Sequence, residues 1–289
     1  MVLVSATAFG TLAIFAKLAY AQGLGTEQTL AIRFVIAAVG MWVLALVLRQ
    51  SPLRFRRNRL LALLAVGAVI YTGQSLTFFT ALRTLPASLC VLIVYIYPSL
   101  VVLAGRIFLR RPISIGVGVA LMASFVGVAL LVGGARFQVA WGLAFAVLSP
   151  MIYTAYILIG ERVMGGVPAV GASAAIMSGT AIAFCALAGL EGQLRLPVTA
   201  IGWAVAVGIA VFPTMIAISF FMAGLPRVGA SRAALLSTWE PVVTVLLAVL
   251  LLGDRFSIVQ GAGGVLVILA VLVVQGAHTR GATGPRAVR

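Results

Sequence analysis

Residues 230–257 read ASRAALLSTWEPVVTVLLAVLLLGDRFS, and residues 87–114 read ASLCVLIVYIYPSLVVLAGRIFLRRPIS. Laid on each other at a constant offset, Pro98 falls on Pro241, Ala87-Ser88 on Ala230-Ser231, Leu109 on Leu252, Ser114 on Ser257 and, upstream, Phe78 on Phe221. Prolines and small residues match as well as aliphatic ones, which identifies an internal repeat rather than two segments of shared composition. Each copy opens with a run of about 20 mostly apolar residues, the length needed to cross the hydrocarbon core of a bilayer. Working outward, similar windows fall near 2–20, 29–48, 60–81, 87–107, 113–132, 139–159, 169–190, 199–221, 229–252 and 257–276. Five spans per copy is an odd number, so the second copy must sit upside down relative to the first. Inverted repeats recur in secondary transporters, with the substrate site near the bilayer midplane where the halves meet. The expected fold is an all-α polytopic membrane protein of ten transmembrane helices, arranged as two inverted five-helix repeats over 1–134 and 135–276, with a basic tail at 277–289.

Composition agrees. Of 289 residues, 63% are apolar and 9% charged, against about 25% charged in a soluble domain. The 20 basic and 5 acidic residues give a net charge of +15. On a soluble body that balance would suggest nucleic acid; here the body belongs in lipid, and no nucleic-acid partner is expected. The charge instead reports orientation, because cytoplasmic loops collect Lys and Arg. With the amino terminus inside, Arg49, Arg54, Arg56, Arg57, Arg59, Arg106, Arg110, Arg111, Arg162, Arg227 and Arg232 share one side with Arg280, Arg286 and Arg289 of the tail. The other side receives Lys17, Arg33, Arg83, Arg136, Arg195 and Arg255. Both termini are therefore expected in the cytoplasm of a bacterial cell, with the spans in the inner membrane and a monomer favoured over an obligate oligomer. Residues 2–21 end in Ala19-Tyr20-Ala21, like a secretory cleavage site, yet Lys17 lies at the wrong end of the run. They read as a retained first helix.

No enzyme is expected. The connections are too short for a water-soluble catalytic domain. His278 is the single histidine, Cys90 and Cys185 lie in separate spans, and no Gly-x-Ser-x-Gly or His-Glu-x-x-His occurs. That leaves no metal-ligand set and no nucleophile elbow. No cofactor or metal is expected.

Polar and aromatic residues at helical spacing mark the expected cavity, since positions i, i+3, i+4 and i+7 share one face. The third span gathers Tyr71, Gln74, Ser75 and Phe78; the sixth gathers Ser149, Tyr153 and Tyr156 around Pro150; the ninth gathers Ser237, Glu240, Pro241 and Thr244. Tyr97 and Trp239 flank the repeat-matched prolines. These faces suit either a substrate cavity or hydrogen-bonded contacts between helices. Pro98, Pro150 and Pro241 are expected helix kinks; Pro98 frees the carbonyl of Val94 and Pro241 that of Ser237. Matched broken helices point to the site and the flexing elements of a transporter. Glu240 is the one acid deep in a span, where an ionisable group is costly and a functional candidate. It would carry a coupling proton or hold a substrate ammonium; alternatively it is ion-paired with Lys17 or Arg33. Small-residue rows at Gly116, Ala120 and Ser124, and at Gly261, Gly263 and Gly264, read as packing seams.

Two stretches, Ala81 to Val132 and Gly224 to Val274, resemble the back half of the EamA domain found in tandem in the drug/metabolite transporter superfamily. The second carries Gly229-Ala230-Ser231, Glu240-Pro241 and Leu250-Leu251-Leu252-Gly253-Asp254-Arg255, where the family usually ends in a Leu-Gly-Glu-Arg pattern. The first has Arg110-Arg111 at the matching place, and Arg33 in Ala31-Ile32-Arg33-Phe34 matches an arginine early in the domain's second helix. The pattern is most similar to the YddG type, associated with export of aromatic amino acids and some cationic compounds. The resemblance implies a basket-like bundle with both ends cytoplasmic and a central cavity opened alternately to each side. The expected function is export of amino acids, aromatic or otherwise large and neutral, and of related small metabolites, with protons as a candidate coupling ion. Two other readings are a transporter of nucleotide-linked or phosphorylated metabolites, for which Lys17 and Arg33 are the available cations, and a broad exporter of cationic drugs.

Overall fold

The computed structural model describes residues 1–109, 113–133, 140–192, 195–255 and 257–282. The regular structure of the described residues is all helical, with no strand, and ten helices are long and apolar enough to cross a membrane. They are α1 (Val2–Ala21), α2 (Thr26–Val47), α3 (Arg57–Thr84), α4 (Ala87–Phe108), α5 (Ile115–Gly133), α6 (Trp141–Met164), α7 (Ala169–Leu190), α8 (Ala200–Leu225), α9 (Leu235–Leu252) and α10 (Ile258–Gly276). Large apolar side chains such as Val119, Met122, Leu246 and Leu250 stay exposed on the outer faces, as lipid contact requires. The last helix runs on to Ala282, into the expected tail. Residues 283–289, Arg110, Arg111 and Arg136 lie outside the described residues, as do the side chains of His278 and Arg280.

Several helices are interrupted, and the interruptions repeat. Helix α4 breaks at Tyr95-Ile96 and α9 at Thr238, positions matched by the repeat, each just ahead of its proline. The Ser237 carbonyl freed by Pro241 finds its partner in the Tyr95 hydroxyl, 3.0 Å away on the opposite repeat. Helix α1 also breaks, at Thr11, and the Gly10 carbonyl accepts from Thr244 Oγ1 at 2.9 Å. Helix α6 continues through Pro150, with Thr154 Oγ1 donating to the Pro150 carbonyl at 2.8 Å.

A second pair of irregularities was not foreseen from the spacing. Helix α3 widens to π geometry over Val66–Tyr71 and α8 over Val211–Ile216. Wide turns leave backbone carbonyls without their usual donors, and hydrocarbon offers no water to replace them. A threonine supplies the donor in each: Thr72 Oγ1 reaches the Gly67 carbonyl at 2.9 Å and Thr214 Oγ1 reaches that of Ile209 at 3.1 Å, each five residues back. Thr180 of α7 adds a third donor, to the same Gly67 carbonyl, at 3.0 Å.

Helices α5 and α10 meet along a seam of small residues. A Cβ added at Gly127 would lie 2.8 Å from the Gly263 carbonyl, and one added at Gly263 would lie 2.6 Å from that of Gly127. Ala120 and Ser124 are buried, and Gly264 fits against Leu92. Gly116 and Gly261 face open space, so the seam begins further along both helices than the row of small residues suggests; crossing helices approach closely only near the crossing. At the end of α9, Gly253 adopts the left-handed conformation (φ 68°) and the Asp254 N–H returns to the Ala248 carbonyl at 3.2 Å, which turns the chain back over the helix end. This aims the Asp254 carboxylate at the first turn of α4, where Oδ2 accepts from Ser88 N (3.0 Å) and Ser88 Oγ (2.5 Å). The acid of one repeat thereby caps a helix of the other.

Candidate functional site

The breaks and wide turns surround a cavity of about 140 Å³ between the repeats. Helix α1 contributes Phe9 and Leu12, α2 Arg33, α3 Tyr71, Gln74, Ser75, Phe78 and Phe79, α4 Val91, Val94, Tyr95 and Tyr97, α6 Tyr153, and α9 Glu240. Its volume is below the 300–1,000 Å³ usual for pockets that enclose a drug-sized ligand, so a large substrate needs a more open arrangement than this one.

Most expected lining residues meet here. Tyr71, Gln74, Ser75 and Phe78 line the cavity as one face of α3, opposite Tyr97, Tyr153 and Glu240. Tyr156 stands behind the lining, stacked on Tyr153 (centroids 5.8 Å apart) and tilted against Tyr71 (5.0 Å). Gln74 Nε2 donates to Ser149 Oγ at 3.4 Å, joining α3 to α6. Ser237 contributes only its backbone carbonyl, because its Oγ turns back to the Ala233 carbonyl at 2.9 Å. Trp239 is 44% exposed and donates to Thr7 Oγ1 at 3.2 Å, away from the lining. Lys17 is also outside it; Asp254 and Cys90 are its electrostatic neighbours.

Aromatic rings run without a gap across the site. Phe184 stacks on Phe34 (5.6 Å), and Phe34 meets Tyr71 edge-on (5.6 Å). Beyond the Tyr71–Tyr156–Tyr153 group, Tyr97 packs edge-on to Tyr153 (4.7 Å) and to Tyr95 (5.8 Å). Five of the six tyrosines of the chain therefore converge at one place. The chain of contacts ends at Glu240, whose Oε2 lies 3.0 Å from the Tyr95 hydroxyl.

The two charges face the cavity separately. Arg33 is 3% exposed; its Nε donates to Thr214 Oγ1 at 3.1 Å, and its guanidinium lies over the rings of Phe34 (4.7 Å) and Phe79 (5.6 Å) and beside Tyr71. Thr214 belongs to the wide turn of α8, so the second repeat holds the arginine of the first. Among the described residues no carboxylate pairs with Arg33 and no cation pairs with Glu240. The expected alternative of a Glu240 ion pair with Lys17 or Arg33 is therefore not the arrangement adopted; Tyr95 takes that place. Tyr95 itself was missed by face-counting, along with Phe9, Leu12, Phe79, Val91 and Val94. A straight α4 would turn Tyr95 off the Tyr97 face, but the break at Tyr95-Ile96 lets both point inward. The only hint in the sequence is its position just ahead of Pro98.

Comparison with known proteins agrees with this architecture. The EamA-like transporter family matches residues 1–133 and again 140–275. An uncharacterized transporter, YcbK, of Bacillus subtilis (strain 168) is 25% identical over 92% of this chain and 89% of its own. An uncharacterized inner membrane transporter, YicL, of Salmonella typhimurium (strain LT2) is 25% identical over 94% and 93%. A solved crystal structure covers 96% of both chains with a TM-score of 0.68 at 21% identity, which shows the same fold. Two matched units in tandem, nearly end to end, and ten membrane-spanning helices establish that the chain belongs to the EamA-like transporter family and is a multi-pass membrane transporter.

Proposed function

We propose that the protein exports amino acids, aromatic or otherwise large and neutral, together with related small metabolites, across the inner membrane by alternating access. The observation that carries this reading is the convergence of Tyr71, Tyr95, Tyr97, Tyr153 and Tyr156 with Phe78 and Phe79 around one cavity between the repeats. Aromatic rings stack on aromatic substrates with a preference beyond simple area burial, and a midplane cavity between inverted repeats is where such transporters hold their cargo. The breaks of α4 and α9 are the hinges of the exchange, with both termini in the cytoplasm. Accumulation of labelled tryptophan, phenylalanine and threonine in proteoliposomes tests the reading. Uptake of the aromatic pair well above threonine is expected, and equal background flux for all three would refute it. In cells, expression should protect against toxic aromatic analogues, and a reporter fused after Arg289 should be active only in the cytoplasm.

A further inference from the structure

Burying a guanidinium in a membrane protein demands a compensating anion or a water-filled cavity. Arg33 has neither a carboxylate partner nor, among the described residues, an acceptor for its terminal amino groups other than the neighbouring Tyr71. It nevertheless lines the cavity. Glu240 lines the same cavity and is in the mirror situation, a carboxyl with one tyrosine hydroxyl and no cation. Two opposite charges on one small cavity would satisfy each other if the site were meant to be complete by itself. Instead the guanidinium is held back by Thr214 and the faces of Phe34 and Phe79, and the carboxyl by Tyr95.

We infer that the cavity is a two-ended zwitterion site in which Arg33 binds the α-carboxylate of a free amino acid and Glu240 its α-ammonium. Gln74, Tyr97 and Tyr153 line the same cavity as these two charges. Guanidinium and carboxylate match in the fork geometry that makes such pairs strong, and an ammonium donates to a carboxylate oxygen and to tyrosine faces. A zwitterion supplies both missing partners at once and adds no net charge. A phosphorylated metabolite would bring its negative charge against Glu240, and a simple cation would bring its charge against Arg33, so each of those substrate classes meets one repelling wall. The assignment rests on the amino-acid reading above and narrows it from amphipathic metabolites in general to compounds carrying both end groups.

Ligand deletion tests this without altering the protein. Binding to the purified full-length protein in nanodiscs is measured for tryptophan, for tryptamine, which lacks the carboxylate, and for indole-3-propionate, which lacks the ammonium. Tryptophan should bind tighter than either analogue by on the order of 10- to 100-fold, the worth of one lost hydrogen-bonded charge contact. Arg33→Gln should erase the preference over tryptamine while retaining that over indole-3-propionate, and Glu240→Gln should do the reverse. An analogue that matches tryptophan within about threefold, a difference too small for one such contact, overturns the two-ended site while leaving the aromatic reading standing. Failure of all three indoles to bind, with no indole transport by the same preparation, removes the aromatic reading and the site together.

Discussion

Removing one oxygen atom from Tyr95 is the most direct test of how the two repeats are joined. In Tyr95→Phe the ring keeps its edge-on contact with Tyr97 at 5.8 Å, but the single hydrogen shared between two acceptors, each 3.0 Å away, is lost: the Ser237 carbonyl and Glu240 Oε2. The first is the greater loss. Pro241 has no N–H to return to that carbonyl, and an unsatisfied buried polar group costs about 1–3 kcal/mol. Hydrogen bonds between membrane helices measure lower, averaging about 0.6 and reaching about 1.7 kcal/mol, because the unfolded chain in a micelle also finds partners. Glu240 borders the cavity, where water replaces part of its lost bond. The expected destabilisation is therefore about 1–2 kcal/mol, read from reversible unfolding in mixed micelles titrated with sodium dodecyl sulfate. Tyr97→Phe is the control: it removes the same atom two residues away from a hydroxyl with no hydrogen bond among the described residues, and should cost less than about 0.5 kcal/mol. Equal losses in the two variants would refute the idea that Tyr95 closes the break in α9.

Three further outcomes follow from geometry already described. Gly67→Ala places a Cβ 2.0 Å from the Ile176 carbonyl, so α3 and α7 must part; a loss of about 3 kcal/mol or more, seen as collapse of folded yield, is expected, whereas Gly116→Ala, in open space, should be neutral by the same measure. Thr214→Val deprives the Ile209 carbonyl of a donor and Arg33 Nε of an acceptor; about 1–2 kcal/mol should be lost, with Thr214→Ser restoring most of it, and an equal defect in the serine variant would show that the methyl rather than the hydroxyl matters. Asp254→Asn weakens the cap on Ser88 by about 1 kcal/mol, measured as a lower unfolding midpoint that Asp254→Glu, which keeps the charge, partly recovers.

The ten spans and their duplication were legible because both are written in local properties, run length and the spacing of prolines and small residues. Most of the cavity was legible for the same reason: Gln74, Ser75 and Phe78 obey a helical period that α3 keeps C-terminal to its wide turn, and Tyr71 closes that turn just before the period resumes. What escaped depended on departures from that period. The wide turn at Val66–Tyr71 is ordinary apolar sequence with a threonine just after it, and threonine is common in membrane helices; the one at Val211–Ile216 holds Pro213, which has no N–H for the Ile209 carbonyl, but a lone mid-span proline does not say that a helix will widen rather than kink. The breaks in α4 and α9 shift the register between the two sides, bringing Tyr95 in and leaving Trp239 out. Ser237 shows the same limit from another direction, since the atom that matters is its carbonyl, which no side-chain pattern reports.

The Tyr95 hydroxyl owns a single hydrogen and sits equally far from two oxygens that both want it. When Glu240 is ionised, the carboxylate is the stronger acceptor and draws that hydrogen, so the backbone oxygen at the proline break is left without it. When Glu240 is protonated, the acid can donate to the phenol oxygen instead, and the phenol's own hydrogen is released to the break. One atom thus makes the charge of a carboxyl in one repeat and the closure of a bent helix mutually dependent, and a substrate ammonium arriving at Glu240 enters the same competition as a proton.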